Sequence, residues 1–531
     1  MHASEIEHVN LTGWTQRDPQ SVKSLSAVGV REVCVARESI VGLLDDAARS
    51  GPDVPLLLST VGASVTVSEV ADLTIAGMCW LAQLGISAGT TVAWQLPSHS
   101  SAAVLMLSLA RAKAVQAPVL HLNRTREVRA ALDVARADVL IVDDSTEANA
   151  PSDIEIICLP SDFLGVLSAQ PRSRQPAPAR EDPGDSARWI YFTSGTSGDP
   201  KAVQHNDSTL LASAHGFRSH LGLGDYPGEV GSIAFPIAHV GGIVYLAAAL
   251  MGKFPVLMVP KVFAAELTAL LAAHRVTVSG SSTALYQMLL AEQLASESES
   301  PIVPSLRMLV GGGAHCPPEL HHKVRRHMAV PIVHAYGMTE APMICVSAAT
   351  DTEEQQSNSS GRPIPGAEIR IGASGEIEVR GSNLASGYLD TEQWAQALTA
   401  DGWFRTGDRG HVRADGRIVV SGRVKDLIIR KGENIAPEEV ENELLAHPLI
   451  DAVAVIGLAD EQRGELVCAV VRRCRGRRDV TLEDICQFLD HRGLMKQKWP
   501  ERLVIVDEFP MTGLGKVAKN ELESQIVGGS R

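Results

Sequence analysis

The chain has 531 residues, of which 45% are hydrophobic, and 48 Lys and Arg against 62 Asp and Glu give a net charge of −14. This length predicts two or three domains, and the acidic balance argues against nucleic-acid binding, which depends on basic surface. The eight cysteines are scattered without a C-x-x-C pair, and the first residues lack the features of a signal peptide. Both observations favour a cytoplasmic protein with reduced thiols.

The first third of the chain alternates between two hydrophobic patterns. Apolar runs predict strands at 91–96, 118–122 and 138–143, and longer periodic runs predict helices at 101–113 and 124–135. This alternation is typical of right-handed crossovers that build a parallel sheet. A segment rich in proline, serine and charge at 171–184 then predicts a linker.

A loop that suits a polyphosphate follows this linker. An apolar strand at 189–192 leads into Thr193, Ser194, Gly195, Thr196, Ser197 and Gly198, and Lys201 closes the loop. Glycines let backbone N–H groups approach anionic oxygens, hydroxyls donate hydrogen bonds, and lysine adds positive charge. The spacing is not that of a Walker loop. A flexible linker has a similar composition, but it would not directly follow a buried strand, so a nucleotide-phosphate loop is the better interpretation.

An uncharged stretch at 233–251 is nearly long enough to cross a membrane. It contains Pro236, His239 and two adjacent glycines, Gly241 and Gly242, and it lacks flanking anchors. These features favour a buried helix or a pocket wall within an α/β domain over a membrane span.

The strand and helix alternation returns in the second half. Strands are predicted at 276–279, 306–310 and 332–336, and helices at 264–274 and 284–293. Short runs punctuated by glycine predict a β-rich region at 361–423, and an α+β pattern with a helix at 437–446 follows residue 426. The sequence therefore predicts a large domain at 1–423 and a small domain at 424–531, with the boundary at 424–426.

Five motifs, read in order, point to one family. They are Tyr336-Gly-Met-Thr-Glu340, Gly402-Trp-Phe-Arg-Thr-Gly-Asp408, Gly422-Arg-Val-Lys-Asp426, Lys431-Gly-Glu-Asn-Ile435 and Pro510-Met-Thr-Gly-Leu-Gly-Lys516. With the loop at 193–201 they resemble the adenylate-forming superfamily of acyl-CoA synthetases, peptide-synthetase adenylation domains and beetle luciferases. The resemblance implies an α/β fold with a large N-terminal domain of two parallel-sheet α/β subdomains plus a β-rich subdomain. A small mobile α+β C-terminal domain would follow, with a hinge near Lys425.

The resemblance also implies an ATP site. The 193–201 loop would hold the β- and γ-phosphates and Thr339 the α-phosphate, while Glu340 would hold Mg²⁺, for which a carboxylate is a suitable hard ligand. Asp408 would accept hydrogen bonds from both ribose hydroxyls, with help from Arg423. The adenine slot would lie where strands end, and it would be formed by Gly312, Gly313, Ala314, Ala335, Tyr336, Gly337 and Met338.

Each of these residues has a plainer interpretation when it is taken alone. Glu340 would be a helix cap or first-turn acid, and Asp408 a turn aspartate. Tyr336 would be a core aromatic, and Arg423 an ordinary surface arginine. Their order within the motif set favours the nucleotide site.

The resemblance further implies two reactions that use one site in turn. Lys516 would contact the acyl carboxylate and the α-phosphate during adenylation. Lys431 and Gly432 would then line a pantetheine tunnel, where glycine leaves room for the thiol arm. His239 would lie beside the acyl carboxylate. A solvated tail lysine and a buried core histidine are the alternatives for Lys516 and His239.

The segment before His239 bears on the acid that is activated. Family members that activate amino acids carry an aspartate there to pair the substrate ammonium, whereas residues 235–238 are Phe-Pro-Ile-Ala. An unpaired buried ammonium would be costly. An α-amino acid is therefore disfavoured, and a fatty, alicyclic or aromatic acid would fit. The resemblance implies that ATP, Mg²⁺ and CoA take part.

The sequence constrains the acyl acceptor and the oligomeric state less than it constrains the acid. CoA is the leading acceptor, and a separate acyl carrier protein is the alternative. A non-catalytic acyl-nucleotide binder is a third class, but Lys516, Glu340 and Asp408 argue against it because a binder needs no transition-state lysine. No nucleic-acid partner or membrane span is expected, and the oligomeric state stays open, with a homodimer as one option.

Overall fold

The computed structural model describes residues 28–29, 39–60, 63–170, 186–193, 200–314, 316–424, 426–430, 433–460, 464–474, 476–511 and 517–528. The strands, numbered along the chain, are β1 Val28–Gly29, β2 Pro55–Ser59, β3 Val65–Thr66, β4 Thr91–Gln95, β5 Val115–Pro118, β6 Val139–Val142, β7 Glu155–Cys158, β8 Trp189–Thr193, β9 Lys201–His205, β10 Gly231–Ile233, β11 Val256–Met258, β12 Val278–Ser279, β13 Met308–Gly312, β14 Ile332–Met338, β15 Ala341–Val346, β16 Arg362–Pro363, β17 Ala367–Ile371, β18 Glu376–Gly381, β19 Gly387–Tyr388, β20 Phe404–Val412, β21 Ile418–Arg423, β22 Ile428–Arg430, β23 Glu433–Ile435, β24 Ile450–Asp460, β25 Gly464–Arg473 and β26 Arg502–Ile505. The α-helices are α1 Ile40–Ser50, α2 Val67–Gln83, α3 Ser100–Arg111, α4 Thr125–Ala135, α5 Phe163–Ser168, α6 Asp207–Leu221, α7 Val240–Gly252, α8 Ala264–Ala273, α9 Thr283–Ala295, α10 Pro318–Met328, α11 Glu353–Ser357, α12 Thr391–Ala397, α13 Pro437–Leu445, α14 Leu482–His491 and α15 Lys519–Gly528.

The first sheet has the strand order β19-β9-β8-β5-β4-β6-β7. Strands β4 to β8 are mutually parallel, as the sequence predicts, while β9 runs antiparallel to β8. The β8–β9 register pairs Thr193 with Lys201 at the end of this hairpin where the connecting loop begins and ends. The two ends of the predicted phosphate loop are therefore neighbours. The predicted linker at 171–184 lies outside the described residues.

One predicted strand is misplaced. The sequence predicts a strand at 118–122, whereas β5 is Val115–Pro118 and the side chain of Leu122 is 54% exposed. The reason is Gln116, which is fully buried although it is polar. Its amide accepts a hydrogen bond from the indole of Trp94 and donates one to the carbonyl of Met106, so burial leaves neither amide group unpaired.

The second sheet has the order β16-β15-β14-β13-β12-β10-β11-β2-β3. Its central strands β11, β10, β12, β13 and β14 are parallel, and the predicted strand at 332–336 continues to Met338 before the chain reverses into β15. Both sheets contribute to one large apolar core that includes α3 and α7. These two helices are buried on nearly all sides because their sequences carry almost no charge.

The uncharged stretch at 233–251 starts at the last residue of β10 and includes all of α7 except its final residue, so the prediction of a buried helix is confirmed. Every residue of α7 from Gly242 to Leu250 is buried within the protein. Among the helices of the described residues, none combines the length and apolar character needed to cross a membrane.

Two smaller sheets complete the fold. The third is antiparallel, with the order β1-β17-β18-β20-β21, and it matches the β-rich region predicted at 361–423. The fourth joins β23, β22, β25 and β24, with β26 beside β25, and packs on α13 and α14 around its own apolar core. The predicted domain boundary at 424–426 falls between these two sheets, and the division into domains stays a prediction.

Candidate active site

Glu340 lies in the hairpin that joins two strands of the second sheet. Only Thr339 and Glu340 separate β14 from β15, and Met338 pairs with Ala341 across the turn. The Glu340 side chain is buried, and the Tyr388 hydroxyl donates to its Oε1 at 2.6 Å. The N–H of Ala385 donates to the backbone carbonyl of Glu340 at 2.7 Å. Both the backbone and the carboxylate of Glu340 are therefore held in place.

Tyr388 also contacts the end of the predicted phosphate loop. It lies on β19, which pairs with β9, and the ammonium of Lys201 sits 4.9 Å from the centre of its ring. A cation at this distance is attracted by the negative face of the ring. One tyrosine, which the sequence analysis did not identify, therefore joins Lys201 to Glu340.

The carboxylate of Glu340 suits Mg²⁺ better than a metal that needs a full protein cage. Among the described residues, no group of three or more His, Cys, Asp or Glu side chains could hold a metal ion. Mg²⁺ is usually bound by one or two carboxylates together with substrate phosphates and water. A single fixed carboxylate near Lys201, at the end of the predicted phosphate loop, is compatible with that pattern.

Replacing Tyr388 by phenylalanine tests how much the fixed carboxylate contributes. Burial and the Glu340 charge raise the pKa of Tyr388, so its hydroxyl stays protonated and donates. The phenylalanine ring would retain the contact with Lys201 but not the hydrogen bond. We expect the Mg²⁺ concentration for half-maximal ATP–pyrophosphate exchange to rise about tenfold. Tyr226→Phe, which changes a tyrosine at the exposed ring contact with Arg307, is the matched control. An unchanged Mg²⁺ requirement would contradict this role.

His205 supports the same hairpin from behind, and the sequence analysis missed it. It is fully buried at the end of β9, with Nε2 2.8 Å from the carbonyl oxygen of Thr339 and Nδ1 2.9 Å from Oγ1 of Thr209. Burial lowers the pKa of His205 to about 4, so the ring is neutral near pH 7 and donates through Nε2. No motif or spacing in the sequence relates position 205 to position 339.

Asp408 forms a second polar centre on the third sheet. It pairs with Arg423 across β20 and β21. The Tyr336 hydroxyl donates to Oδ2 at 2.7 Å, and Arg423 Nε donates to Oδ1 at 3.1 Å. Burial and the Asp408 charge hold the pKa of Tyr336 well above its usual value, so it remains a donor. The Arg423 side chain is 59% exposed, so water screens this ion pair.

The arrangement at Asp408 is compatible with the predicted ribose contact. A carboxylate offers about four acceptor sites, and Tyr336 and Arg423 together occupy two of them. Each oxygen can therefore still accept one hydroxyl hydrogen. Because the Tyr336 hydroxyl donates to Asp408, the ring of Tyr336, which is predicted to line the adenine slot, has a fixed direction.

The glycines of the predicted adenine slot allow close approach of main chains. A Cβ at Gly312 would lie 1.9 Å from the carbonyl oxygen of Ala335, and one at Gly337 would lie 2.3 Å from that of Pro342. Any other residue would push these strands apart. Gly313 has a φ of +78° and no atom within 4 Å of an added Cβ, so it borders open space. Ala314 follows it, and Met338 ends β14 beside the Thr339 turn. Adenine binding here stays a prediction.

His239 is the N-cap of α7. The N–H of Gly241 donates to its Nδ1 at 3.1 Å, so in the neutral ring the proton resides on Nε2. The ring is therefore oriented by its own loop. Its predicted place beside the acyl carboxylate is not tested by this contact and stays a prediction.

Nine of the predicted site and hinge residues lie outside the part of the chain that the structure describes. Those outside the described residues are Ser194, Gly195, Thr196, Ser197, Gly198, Lys425, Lys431, Gly432 and Lys516. Their roles therefore remain predictions from the motif set.

Comparison with known proteins extends the match to most of the chain. Residues 44–389 match the family described as AMP-binding enzyme, and residues 439–516 match its C-terminal domain. The chain is 28% identical to the medium-chain fatty-acid–CoA ligase of Escherichia coli (strain K12), over 92% of this chain and 90% of that protein. It is 31% identical to a salicyl-AMP ligase / salicyl-S-ArCP synthetase of Mycobacterium tuberculosis, over 91% and 90%. Among solved structures, o-succinylbenzoate CoA synthetase of Bacillus subtilis with its acyl-adenylate intermediate aligns with a TM-score of 0.79 and 25% identity, over 91% of this chain and 97% of that one.

Proposed function

The chain belongs to the AMP-binding enzyme family, and we propose that it activates a fatty, alicyclic or aromatic carboxylic acid and transfers the acyl group to CoA. ATP is consumed, and the products are acyl-CoA, AMP and pyrophosphate. The observation that carries this proposal is the fixed position of the Glu340 carboxylate, which directly follows Thr339 in the chain. The hydroxyl of Tyr388 donates to this carboxylate, and the ring of Tyr388 contacts Lys201.

In the first step, an oxygen of the substrate carboxylate attacks the α-phosphorus of ATP, and the bond to pyrophosphate breaks. The protein has to bring anions together and balance the charge on the departing pyrophosphate. Lys201 and the loop at 193–198 would bind the β- and γ-phosphates. Glu340 would hold Mg²⁺, which neutralises phosphate charge when it is bound. Asp408 would orient the ribose, so that the α-phosphorus faces the acid.

In the second step, the thiol sulfur of CoA attacks the carbonyl carbon of the acyl-adenylate. The thioester bond forms, the carbon–oxygen bond to AMP breaks, and the thiol proton is released. Residues Lys431 and Gly432 would line the path of the pantetheine arm during this step.

The acid class is supported by the surroundings of His239. Ile237 and Ala238 are buried, Phe235 is half-buried, and none of the three carries charge. An acyl group without an ammonium could lie against this segment without loss of solvation. The relatives named for a medium-chain fatty acid and for salicylate fall within the same broad class.

Product analysis by mass spectrometry tests the proposal. The protein would be incubated with Mg²⁺ and ATP and a panel of fatty, alicyclic and aromatic acids, with and without CoA. Acyl-CoA and AMP that appear only with CoA would support the ligase and name its substrate class. If no acid in the panel gave either acyl-adenylate or acyl-CoA, the proposal would fail.

A carrier protein is the second candidate acceptor. The similarity to a salicyl-S-ArCP synthetase, at 31% identity over most of both chains, is the observation that favours it. Acyl-adenylate that persists in the presence of CoA would support this alternative. Transfer to a phosphopantetheinylated carrier protein in the same assay would then establish it.

Replacing Gly432 by leucine tests the second step. A side chain at the predicted tunnel wall would obstruct the pantetheine arm, so we expect acyl-adenylate to accumulate while thioester formation falls. The rates of ATP–pyrophosphate exchange and of acyl-CoA formation would be measured separately. The control is Gly476→Leu, which changes a glycine of the same predicted domain that has no atom within 4 Å of an added Cβ. Because Gly476 has a φ of +72°, the thermal stability of this variant would be measured as well. Normal thioester formation by Gly432→Leu would show that the tunnel assignment is wrong.

We also propose that the enzyme works in the cytoplasm. Seven cysteines lie among the described residues, and all of them are free thiols, which suits a reducing compartment.

Size-exclusion chromatography with light scattering would show whether the protein is a homodimer.

A further inference from the structure

Two turns of the protein are built in the same way. In the first sheet the chain leaves β4, passes Pro97 and reaches His99, which caps α3 by accepting the N–H of Ala102 on Nδ1 at 3.1 Å. In the second sheet it leaves β10, passes Pro236 and reaches His239, which caps α7 through Nδ1 in the same manner. The turn that carries His239 therefore has an internal counterpart in the β4–α3 turn.

These two turns are joined by the hydroxyl of Ser98. Its Oγ donates to the carbonyl of Phe235 at 2.6 Å and accepts the N–H of Ile237 at 2.9 Å. Ser98 is 1% exposed, and Ile237 is fully buried. A single side chain therefore pairs two backbone groups of the other turn, a part-buried carbonyl and a buried N–H.

The segment that Ser98 holds leads directly to His239. The N–H of His239 donates to the carbonyl of Pro236 at 2.9 Å, which closes the turn. A Cβ at Gly242 would lie only 2.2 Å from the carbonyl oxygen of Ile237, so the first turn of α7 packs tightly on the same segment. A shift of Phe235 or Ile237 would therefore move the backbone that carries the His239 ring.

Ser98 is itself firmly anchored. The next residue, His99, lies with Nε2 3.2 Å from Oδ2 of Asp143, at the end of β6. Burial opposes ionisation of Asp143, but hydrogen bonds from His99 and Ser145 outweigh it and lower the pKa of Asp143 to about 2. Asp143 thus remains an ionised acceptor near pH 7, and the β4–α3 turn is tied to the first sheet.

We propose that Ser98 is a positioning residue for His239 and thereby sets the affinity for the carboxylic acid. The proposal rests on the proposed function, because it takes His239 to lie beside the acyl carboxylate. Removing the hydroxyl would leave the Phe235 carbonyl and the Ile237 N–H unpaired. The turn would then populate other arrangements, in which His239 is displaced from the acid but the residues around ATP are not.

The test compares Ser98→Ala and Ser98→Thr with a matched control. Ser108→Ala removes an equally buried hydroxyl from α3, but that hydroxyl donates only to the carbonyl of Val104. We expect Ser98→Ala to raise the KM for the acid about tenfold, with the KM for ATP changed less than about twofold. Amide hydrogen exchange of the peptide that covers 233–240 should become faster. Ser98→Thr retains the hydroxyl and should restore both values, and Ser108→Ala should change neither.

Two results would overturn the proposal. One is unchanged hydrogen exchange at 233–240 in Ser98→Ala, and the other is an equal rise in the KM for the acid and for ATP. If Ser98→Ala does not fold, Ser98→Cys, with a weakly bonding thiol of similar size, takes its place. Failure of the proposed function would appear differently, as a wild-type protein that adenylates no acid. The hydrogen-exchange comparison would still report on the tether in that case.

Discussion

Replacing Glu340 by glutamine is expected to slow acyl-adenylate formation by about 10²–10³ while the protein remains folded. Glutamine has the same shape, and its amide oxygen can still accept the hydrogen bond from the Tyr388 hydroxyl. Only the negative charge is lost, and with it the hard ligand for Mg²⁺. The change therefore separates the electrostatic role of Glu340 from its packing. The rate would be measured as single-turnover AMP formation at saturating ATP and acid, and stability by thermal unfolding.

A second buried glutamate provides the opposite control. Glu229 is also buried, but it forms an ion pair with Arg307 and accepts the backbone N–H of Gly224, and none of these three residues is predicted to belong to the site. Glu229→Gln weakens that pair and should lower the unfolding temperature while the adenylation rate stays close to that of the wild type. Glu340→Gln should do the reverse. A rate within about tenfold of the wild type in Glu340→Gln would mean that another group holds the metal.

Glu340 also illustrates what could be predicted from the sequence. The motif identified the residue, because its neighbours follow a family pattern at fixed spacing. The hydrogen bond from Tyr388 could not be predicted, since it depends on β19 pairing with β9, which brings together segments from distant parts of the chain. The hydrogen bond from His205 to the carbonyl of Thr339 could not be predicted either, because it also joins distant parts of the chain. Such contacts depend on which distant strands pair and on how two sheets pack, and neither can be read from a local pattern in a single sequence.

The secondary structure shows a similar division. The buried helix α7 was predicted correctly, because an uncharged run with glycines and a proline leaves few other interpretations. Strand β5 was placed too late, since polar Gln116 interrupts its apolar pattern and is paired only by Trp94 and Met106 in the folded protein. Sequence patterns detect burial of apolar groups well. They do not detect a buried polar group whose partners come from elsewhere.

Replacing Lys516 by alanine should produce the other large effect, a loss of about 10²–10³ in acyl-adenylate formation. The match to the family's C-terminal domain ends at this residue, at the last position of the Pro510 to Lys516 motif. The motif set predicts that its ammonium contacts the acyl carboxylate and the α-phosphate at once, where charge develops as the new bond forms. An alanine would leave that charge without a donor, whereas the ATP contacts predicted for Asp408 and Lys201 should be unaffected.

The two half-reactions should respond differently to Lys516→Ala. If Lys516 serves adenylation alone, thioester formation from supplied acyl-adenylate and CoA should stay near the wild-type rate. Lys519→Ala is the matched control, since Lys519 lies three residues further along the chain, at the start of α15, and forms an ion pair with Glu441 at 2.7 Å. That variant should keep both half-reactions. Loss of both half-reactions in Lys516→Ala would instead indicate that the lysine stabilises the small domain as a whole. In that case the cation that assists attack on the α-phosphorus would have to come from elsewhere, and Lys201, already adjacent to Tyr388 and Glu340, would be the residue to test next.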